Sequence, residues 1–310
     1  MPELIFLFPG QGSQYVGMGR DLAAEFPAAA AAFAEADAAL GFPLSRLCFA
    51  GPEEDLRLTA NTQPAILAHS IAVARVLETH GLAPAWVAGH SLGEYSALVA
   101  AGGLAFADAL RAVRRRGELM QSAVPVGEGA MAALLGLDAA AVAALCQDAA
   151  EGQVCEPANF NGAGQIVIAG HAAAVARAAA LAGERGGRAV PLPVSAPFHC
   201  SLMQPAREGL APVLAQVQFQ RLRCPLLANV DAEPVVEPED ARQRLVRQVT
   251  APVQWESIMR KLLQRRDALL CELGPGRVLC GLARRADRSR RCLSLDGAES
   301  VRAALAELRA

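Results

Sequence analysis

The sequence predicts an α/β fold, a mostly parallel sheet covered by helices and interrupted by a compact insertion. Three observations predict it. Short apolar runs alternate with alanine-rich helical stretches along most of the chain. A G-x-S-x-G pattern, Gly89-His90-Ser91-Leu92-Gly93, lies between an apolar run and a helical one. Residues 127–195 depart from that alternation and follow the order β-α-β-β-α-β, the ferredoxin-like pattern.

Taken in order, Leu4–Phe8 is an apolar β-run that ends at Pro9-Gly10, and Ala23–Leu40 is helical in composition. Asn61-Thr62-Gln63 ahead of Pro64 reads as a cap-then-proline helix start, with the helix continuing over Ala65–Glu78. Trp86–Ala88 is a short strand, and Leu92–Ala101 and Ala105–Ser122 are helices. In the insertion, Ala130–Leu137 reads as a strand, Ala139–Ala150 as a helix, and Glu156–Asn161 and Gln165–Ala169 as paired strands. Ala172–Gly183 is a helix and Arg188–Val194 a closing strand. The first pattern then resumes with strand Leu226–Val230, helix Ala241–Val249, strand Ala268–Glu272 and helix Val278–Arg285.

Composition removes several classes of function. The chain has 310 residues, 53% hydrophobic and 19% charged, which excludes a disordered chain. Lys+Arg 29 against Asp+Glu 31 gives a net charge of −2, without the basic excess of a nucleic-acid binder. No apolar run reaches the roughly 18 residues that span a bilayer, and the N-terminus lacks a signal-peptide pattern. Cytoplasmic location is therefore expected. The eight cysteines form no C-x-x-C pair, so zinc is not expected and all eight are expected to be free thiols.

The chemistry concentrates at Ser91. In a strand-to-helix turn the two glycines permit a tight bend that lifts the hydroxyl to the sheet edge. The helix N-terminus then offers N–H groups to a developing oxyanion. A serine nucleophile needs a base. Of the five histidines, His69 and His80 sit on or after a helix, His171 opens one, and His90 lies inside the turn with its ring directed away. His199 follows the last strand of the insertion, at the domain junction where catalytic loops concentrate, and its pKa is expected near that of an ordinary histidine. Cys200 beside it is the reserve nucleophile. Arg116 lies about 60° around its helix from Val113, at the edge of the apolar stripe of Leu110, Val113, Gly117 and Met120. A guanidinium there suits a carboxylate, whereas Arg111 and Arg115 face water. The turn Pro9-Gly10-Gln11-Gly12 lets the Gln11 backbone approach a ligand, and Gln248 ends a helix with a free backbone carbonyl.

Several stretches together resemble the malonyl-CoA:acyl carrier protein transacylases. They are Phe8-Pro9-Gly10-Gln11-Gly12-Ser13-Gln14, Thr62-Gln63-Pro64-Ala65, Gly89-His90-Ser91-Leu92-Gly93-Glu94, Arg116-Gly117, Asn159-Phe160-Asn161, Pro197-Phe198-His199, Val246-Arg247-Gln248, Pro252-Val253-Gln254-Trp255 and Glu272-Leu273-Gly274-Pro275-Gly276. The resemblance implies an α/β-hydrolase-like large domain over 1–126 and 196–310, with a ferredoxin-like small domain over 127–195. It also implies roles. Ser91 is the nucleophile and His199 its base. The Gln11 and Leu92 backbone N–H groups form the oxyanion hole, and the Gln248 backbone carbonyl orients the histidine in place of an acid. Arg116 binds the malonyl carboxylate, and Phe198 accompanies malonyl selection in related polyketide acyltransferases. The substrates implied are malonyl-CoA and phosphopantetheinylated acyl carrier protein of fatty acid synthesis, with no metal or cofactor.

Arg284, Arg285, Arg288, Arg290 and Arg291 form a basic cluster suited to steering an acidic carrier. Three alternatives remain open. A stand-alone polyketide synthase acyltransferase would use the same chemistry with another carrier. An α/β-hydrolase-type thioesterase predicts an HGGG-type loop, which is absent, and leaves Arg116 without a role. A non-catalytic carrier-binding protein has no need of Ser91, His199 and Arg116 together.

Overall fold

The computed structural model describes residues 2–309. The chain opens with β1 (Leu4–Phe8) and runs through α1 (Arg20–Glu25), α2 (Pro27–Leu40), α3 (Leu44–Ala50), α4 (Glu53–Arg57) and α5 (Thr59–Thr79) to β2 (Trp86–Gly89). α6 (Gly93–Ala100) and α7 (Phe106–Ser122) follow. The insertion holds β3 (Gly129–Leu135), α8 (Ala139–Ala150), β4 (Cys155–Gly162), β5 (Gln165–His171), α9 (Ala172–Glu184) and β6 (Arg188–Pro191). The return passes through α10 (Gln204–Gln216), β7 (Leu226–Leu227), β8 (Pro234–Val235), α11 (Pro238–Gln248) and α12 (Trp255–Leu263). It closes with β9 (Leu269–Leu273), α13 (Val278–Ala286), β10 (Cys292–Leu295) and α14 (Ala298–Arg309).

The large sheet has the order β10-β9-β1-β2-β7-β8. All its pairs are parallel except β7–β8. Every residue of β1 and β9 is buried, as expected for strands covered by helices on both faces. Register decides where the site forms. Phe8 pairs with Gly89, so the chain leaves β1 at Pro9-Gly10-Gln11 beside the point where it leaves β2 at His90-Ser91. Both turns emerge at the C-terminal edge of the sheet, where ligands of such folds bind.

The second sheet is antiparallel, in the order β4-β5-β3-β6. Its two faces have different partners, as the period of two requires. Ala132, Leu134, Ile166 and Ile168 pack with Val142, Leu145 and Ala178 of α8 and α9. Met131, Ala133, Val167 and Ala169 belong instead to the main core. The small sheet thus lies with one face against the main core and the other against α8 and α9. Among the described residues no helix is long and apolar enough to cross a membrane.

The structure corrects several expectations. Pro64 lies inside α5, which starts at Thr59. The Ala60 carbonyl, which a non-proline N–H at position 64 would have bonded, accepts from Arg114 Nη1 at 3.2 Å. The helix therefore continues through the proline. Ala23–Leu40 is two helices, because Phe26 before Pro27 takes an extended conformation (φ −114°, ψ 114°). β6 stops at Pro191, where Pro191 and Pro193 remove ladder donors, and Leu192–Val194 run on outside the strand. β7 is only two residues long, since Asn229 bonds Glu94 and Gln254 rather than a strand. The thiols are not all free. Cys280 in α13 and Cys292 at the start of β10 are joined by a disulfide, because α13 folds back along β10 and brings their Cα atoms to 5.3 Å. The other six cysteines are free and buried.

Candidate active site

The turn after β2 is shaped by two backbone approaches that exclude side chains. A Cβ on Gly89 would fall 1.9 Å from the Gly93 carbonyl, and one on Gly93 would fall 2.0 Å from the Phe8 carbonyl oxygen. Ser91 between them has φ 52°, a left-handed conformation that costs a non-glycine residue energy and is typical of strained functional turns. Asn229 restrains it. Its Oδ1 accepts from the Ser91 N–H at 2.6 Å, and its Nδ2 donates to the Gly89 carbonyl at 2.7 Å.

The serine hydroxyl meets two groups at once. Ser91 Oγ lies 2.7 Å from His199 Nε2 and 3.1 Å from Arg116 Nη2. His199 Nδ1 is 3.0 Å from the Gln248 carbonyl oxygen, which accepts its proton and leaves Nε2 free to accept from the serine. Arg116 is 1% exposed, so it is not at the edge of the apolar stripe but within the buried site. Its Nη1 donates to Gln63 Oε1 at 2.9 Å and its Nη2 to Gln248 Oε1 at 2.8 Å, while its Nε has no partner.

The Gln11 turn abuts the serine turn. A Cβ on Gly10 would stand 2.6 Å from the His90 carbonyl oxygen. The Gln11 side chain is tied to Thr59 Oγ1 at 3.1 Å. Among the described residues the Gln11 and Leu92 N–H groups engage no protein acceptor. Gln11, Ser91, Leu92, Arg116, Phe198 and His199 line one cleft of about 460 Å³, together with Met131 and Asn159 of the small sheet. Two unpaired donors beside a nucleophile fit a developing oxyanion.

Burial sets the electrostatics. It pushes the His199 imidazole down to about 3, and the Arg116 cation adds to that fall. The expectation of an ordinary histidine pKa is therefore corrected, and His199 is neutral at physiological pH. An NMR titration of its ring protons, assigned with a His199→Gln spectrum, should show no protonation between pH 8 and pH 5. A midpoint near 6.5 would contradict this environment. Glu94, in the first turn of α6, is raised to about 7 chiefly by burial.

The other sequence candidates fall away. His90 Nε2 bonds Asn161 Oδ1 at 2.9 Å, and its ring lies tilted against Trp255, with the centroids 5.5 Å apart. His69 Nε2 contacts the Asp296 carbonyl, and His171 Nδ1 accepts from the Val154 N–H. Cys200 is buried, donates to the Pro197 carbonyl and is raised to about 12, so it is no substitute nucleophile. Sequence reasoning missed the contacts that Gln63, Glu94, Asn229 and the Gln248 side chain make around the site. Asn229 carried a signal, as a polar residue closing an apolar run at the ligand-binding edge of a parallel sheet.

An acyl transferase domain family matches residues 5–301. The chain belongs to this acyl transferase family. It is 52% identical over 287 residues to the malonyl CoA-acyl carrier protein transacylase of Escherichia coli strain K12, covering 92% of this chain and 93% of the relative. It superposes on the crystal structure of an acyl carrier protein S-malonyltransferase from Vibrio cholerae with a TM-score of 0.95 and 46% identity, covering 97% of this chain and 99% of that one. It is also similar, at 45% identity and a TM-score of 0.95 over 98% and 99% of the two chains, to a structure described as a type II PKS acyl-carrier protein in complex with its malonyl-transacylase. Within the acyl transferases, then, the relatives are malonyl transferases.

Proposed function

We infer that this acyltransferase moves a malonyl group from malonyl-CoA to the phosphopantetheine thiol of acyl carrier protein through a malonyl ester on Ser91. One observation carries the assignment of roles. A single hydroxyl is held between a neutral imidazole at 2.7 Å and a buried guanidinium at 3.1 Å. An esterase has no use for the second group. A malonyl thioester does, since one methylene separates its carboxylate from the reacting carbonyl.

In the first half-reaction His199 Nε2 takes the Ser91 proton as Oγ attacks the thioester carbon. The Gln11 and Leu92 N–H groups hold the oxyanion, each worth about 3–4 kcal/mol in comparable sites. The carbon–sulfur bond breaks and the CoA thiolate takes the proton back from His199. In the second half-reaction the carrier thiol gives its proton to His199 and attacks the ester. Serine then leaves with that proton. The Gln248 carbonyl keeps the imidazole in the required tautomer throughout. No metal or redox cofactor takes part in these steps. The malonyl carboxylate accepts from Arg116, drawing the guanidinium off Ser91 Oγ and offsetting the charge that depresses His199.

The direct test is malonyl transfer to holo carrier protein, with the apo form lacking phosphopantetheine as control. Equal labelling of both forms would defeat the reading. The pathway is fatty acid synthesis in the cytoplasm. The likeness to the type II PKS transacylase supports a second reading, a polyketide carrier as acceptor, and kcat/KM across a panel of both carrier types separates the two.

Docking draws on the basic cluster. Arg284, Arg285 and Arg288 line an open groove of about 510 Å³ with Gly281 and with Ala163 from the β4–β5 turn. Arg290 is spent on the carbonyls of Arg265, Arg266 and Ala268, and Arg291 pairs with Glu307. Charge reversal at Arg285 and Arg288 should therefore raise the carrier KM at low salt, with a smaller effect as salt screens the attraction. An unchanged KM at low salt would place docking elsewhere.

A further inference from the structure

Glu94 is a buried carboxyl that the reaction above leaves without a task. Its Oε2 accepts from Gln248 Nε2 at 2.6 Å and from the Asn229 N–H at 3.2 Å, and its Oε1 has no partner. The Gln248 side chain sits between unlike neighbours. Its Nε2 faces two acceptors, Glu94 Oε2 and the Ser91 carbonyl oxygen at 3.0 Å. Its Oε1 faces a donor that cannot accept, Arg116 Nη2 at 2.8 Å. Turned over, the amide would set its oxygen against two acceptors and its NH2 against the guanidinium. The Asn229 N–H donates to the same Glu94 Oε2, and an ionised carboxylate only accepts, so it admits only the nitrogen side of the amide.

We propose that Glu94 is a positioning residue for acyl selection: its carboxyl fixes the Gln248 amide, whose oxygen holds the Arg116 guanidinium where the malonyl carboxylate meets it. The inference rests on the reading of Arg116 as the malonyl-binding group. The task requires an acceptor at the right reach rather than a charge. The two oxygens also differ in use, with both donors on one and none on the other, as expected of a one-sided orienting contact.

Two conservative variants separate reach from charge. Glu94→Gln keeps an acceptor at the same length and removes the charge. Glu94→Asp keeps the charge and withdraws the acceptor by one methylene. Malonyl-CoA and acetyl-CoA are compared as donors in both variants, with Arg116→Ala alongside and Tm confirming that each protein is folded. Glu94→Gln should hold the malonyl KM within about twofold of wild type. Glu94→Asp should raise it about tenfold, the effect of one hydrogen bond to a charged network, with kcat within about threefold and acetyl transfer unchanged. A wild-type malonyl KM in Glu94→Asp, greater damage in Glu94→Gln than in Glu94→Asp, or an equal fall for malonyl and acetyl would each overturn the proposal. If Arg116→Ala lowered both donors equally, the reading of Arg116 would fail, and this inference with it.

Discussion

Arg116→Ala should lower kcat/KM for malonyl-CoA by on the order of 10²–10⁴-fold, the value of two hydrogen bonds between charged groups in a buried site. Acetyl transfer should stay level or rise. In wild type an acetyl group leaves the buried guanidinium without its carboxylate, and that penalty disappears with the side chain. Arg116→Lys should recover only part of the malonyl activity. One ammonium cannot serve Gln63, Gln248 and a substrate carboxylate in the planar geometry that the guanidinium provides. The ratio of kcat/KM for the two donors in the three proteins is the measurement. An equal fall for both donors in Arg116→Ala would make the arginine structural, and Arg114 and Arg115 do not replace it, because both pair with Glu118 on a more exposed face.

His199→Ala should slow both half-reactions by roughly 10²–10⁴-fold, the usual loss when general acid–base help is removed. The backbone complicates this variant. His199 has φ 62°, where alanine is strained and asparagine is tolerated. His199→Asn is therefore the cleaner comparison, and the two variants should lose similar activity although their stability differs. Single-turnover acylation of Ser91 and deacylation to the carrier thiol, measured separately, check both halves. Acylation at wild-type rate in His199→Asn would remove His199 from the role of base.

The residues that meet at the site were largely legible because the constraints on them are local. The serine turn needs glycines at fixed offsets, and a strand must precede it. Both β1 and the β-α-β-β-α-β order showed in period and composition. Three-dimensional contacts decided the rest. Nothing local indicates that Arg114 fills the acceptor freed by Pro64, so that proline read as a helix start. α10 was obscured by Pro205 and Pro212, one at its start and one inside it. α12 and α14 had a signal in the spacing of Trp255, Ile258, Met259 and Leu262 and of Val301, Ala304, Leu305 and Leu308, which the strand–helix alternation did not bring out. The Cys280–Cys292 pairing depends on α13 folding back along β10, and the Glu94–Gln248–Arg116 chain joins three separate helices. Spacing along one chain cannot reveal either.

The central claim is that Ser91 carries the malonyl group between donor and acceptor. Intact mass spectrometry after brief incubation with malonyl-CoA, without carrier protein, tests it most directly. The wild-type protein should gain the mass of one malonyl group, located by proteolysis to the peptide containing Ser91 and discharged on addition of holo carrier protein. Ser91→Ala should gain none while keeping its fold, since alanine replaces the hydroxyl with little change in volume. An adduct of equal yield on Ser91→Ala, or one that maps to another residue in the wild type, would contradict the account.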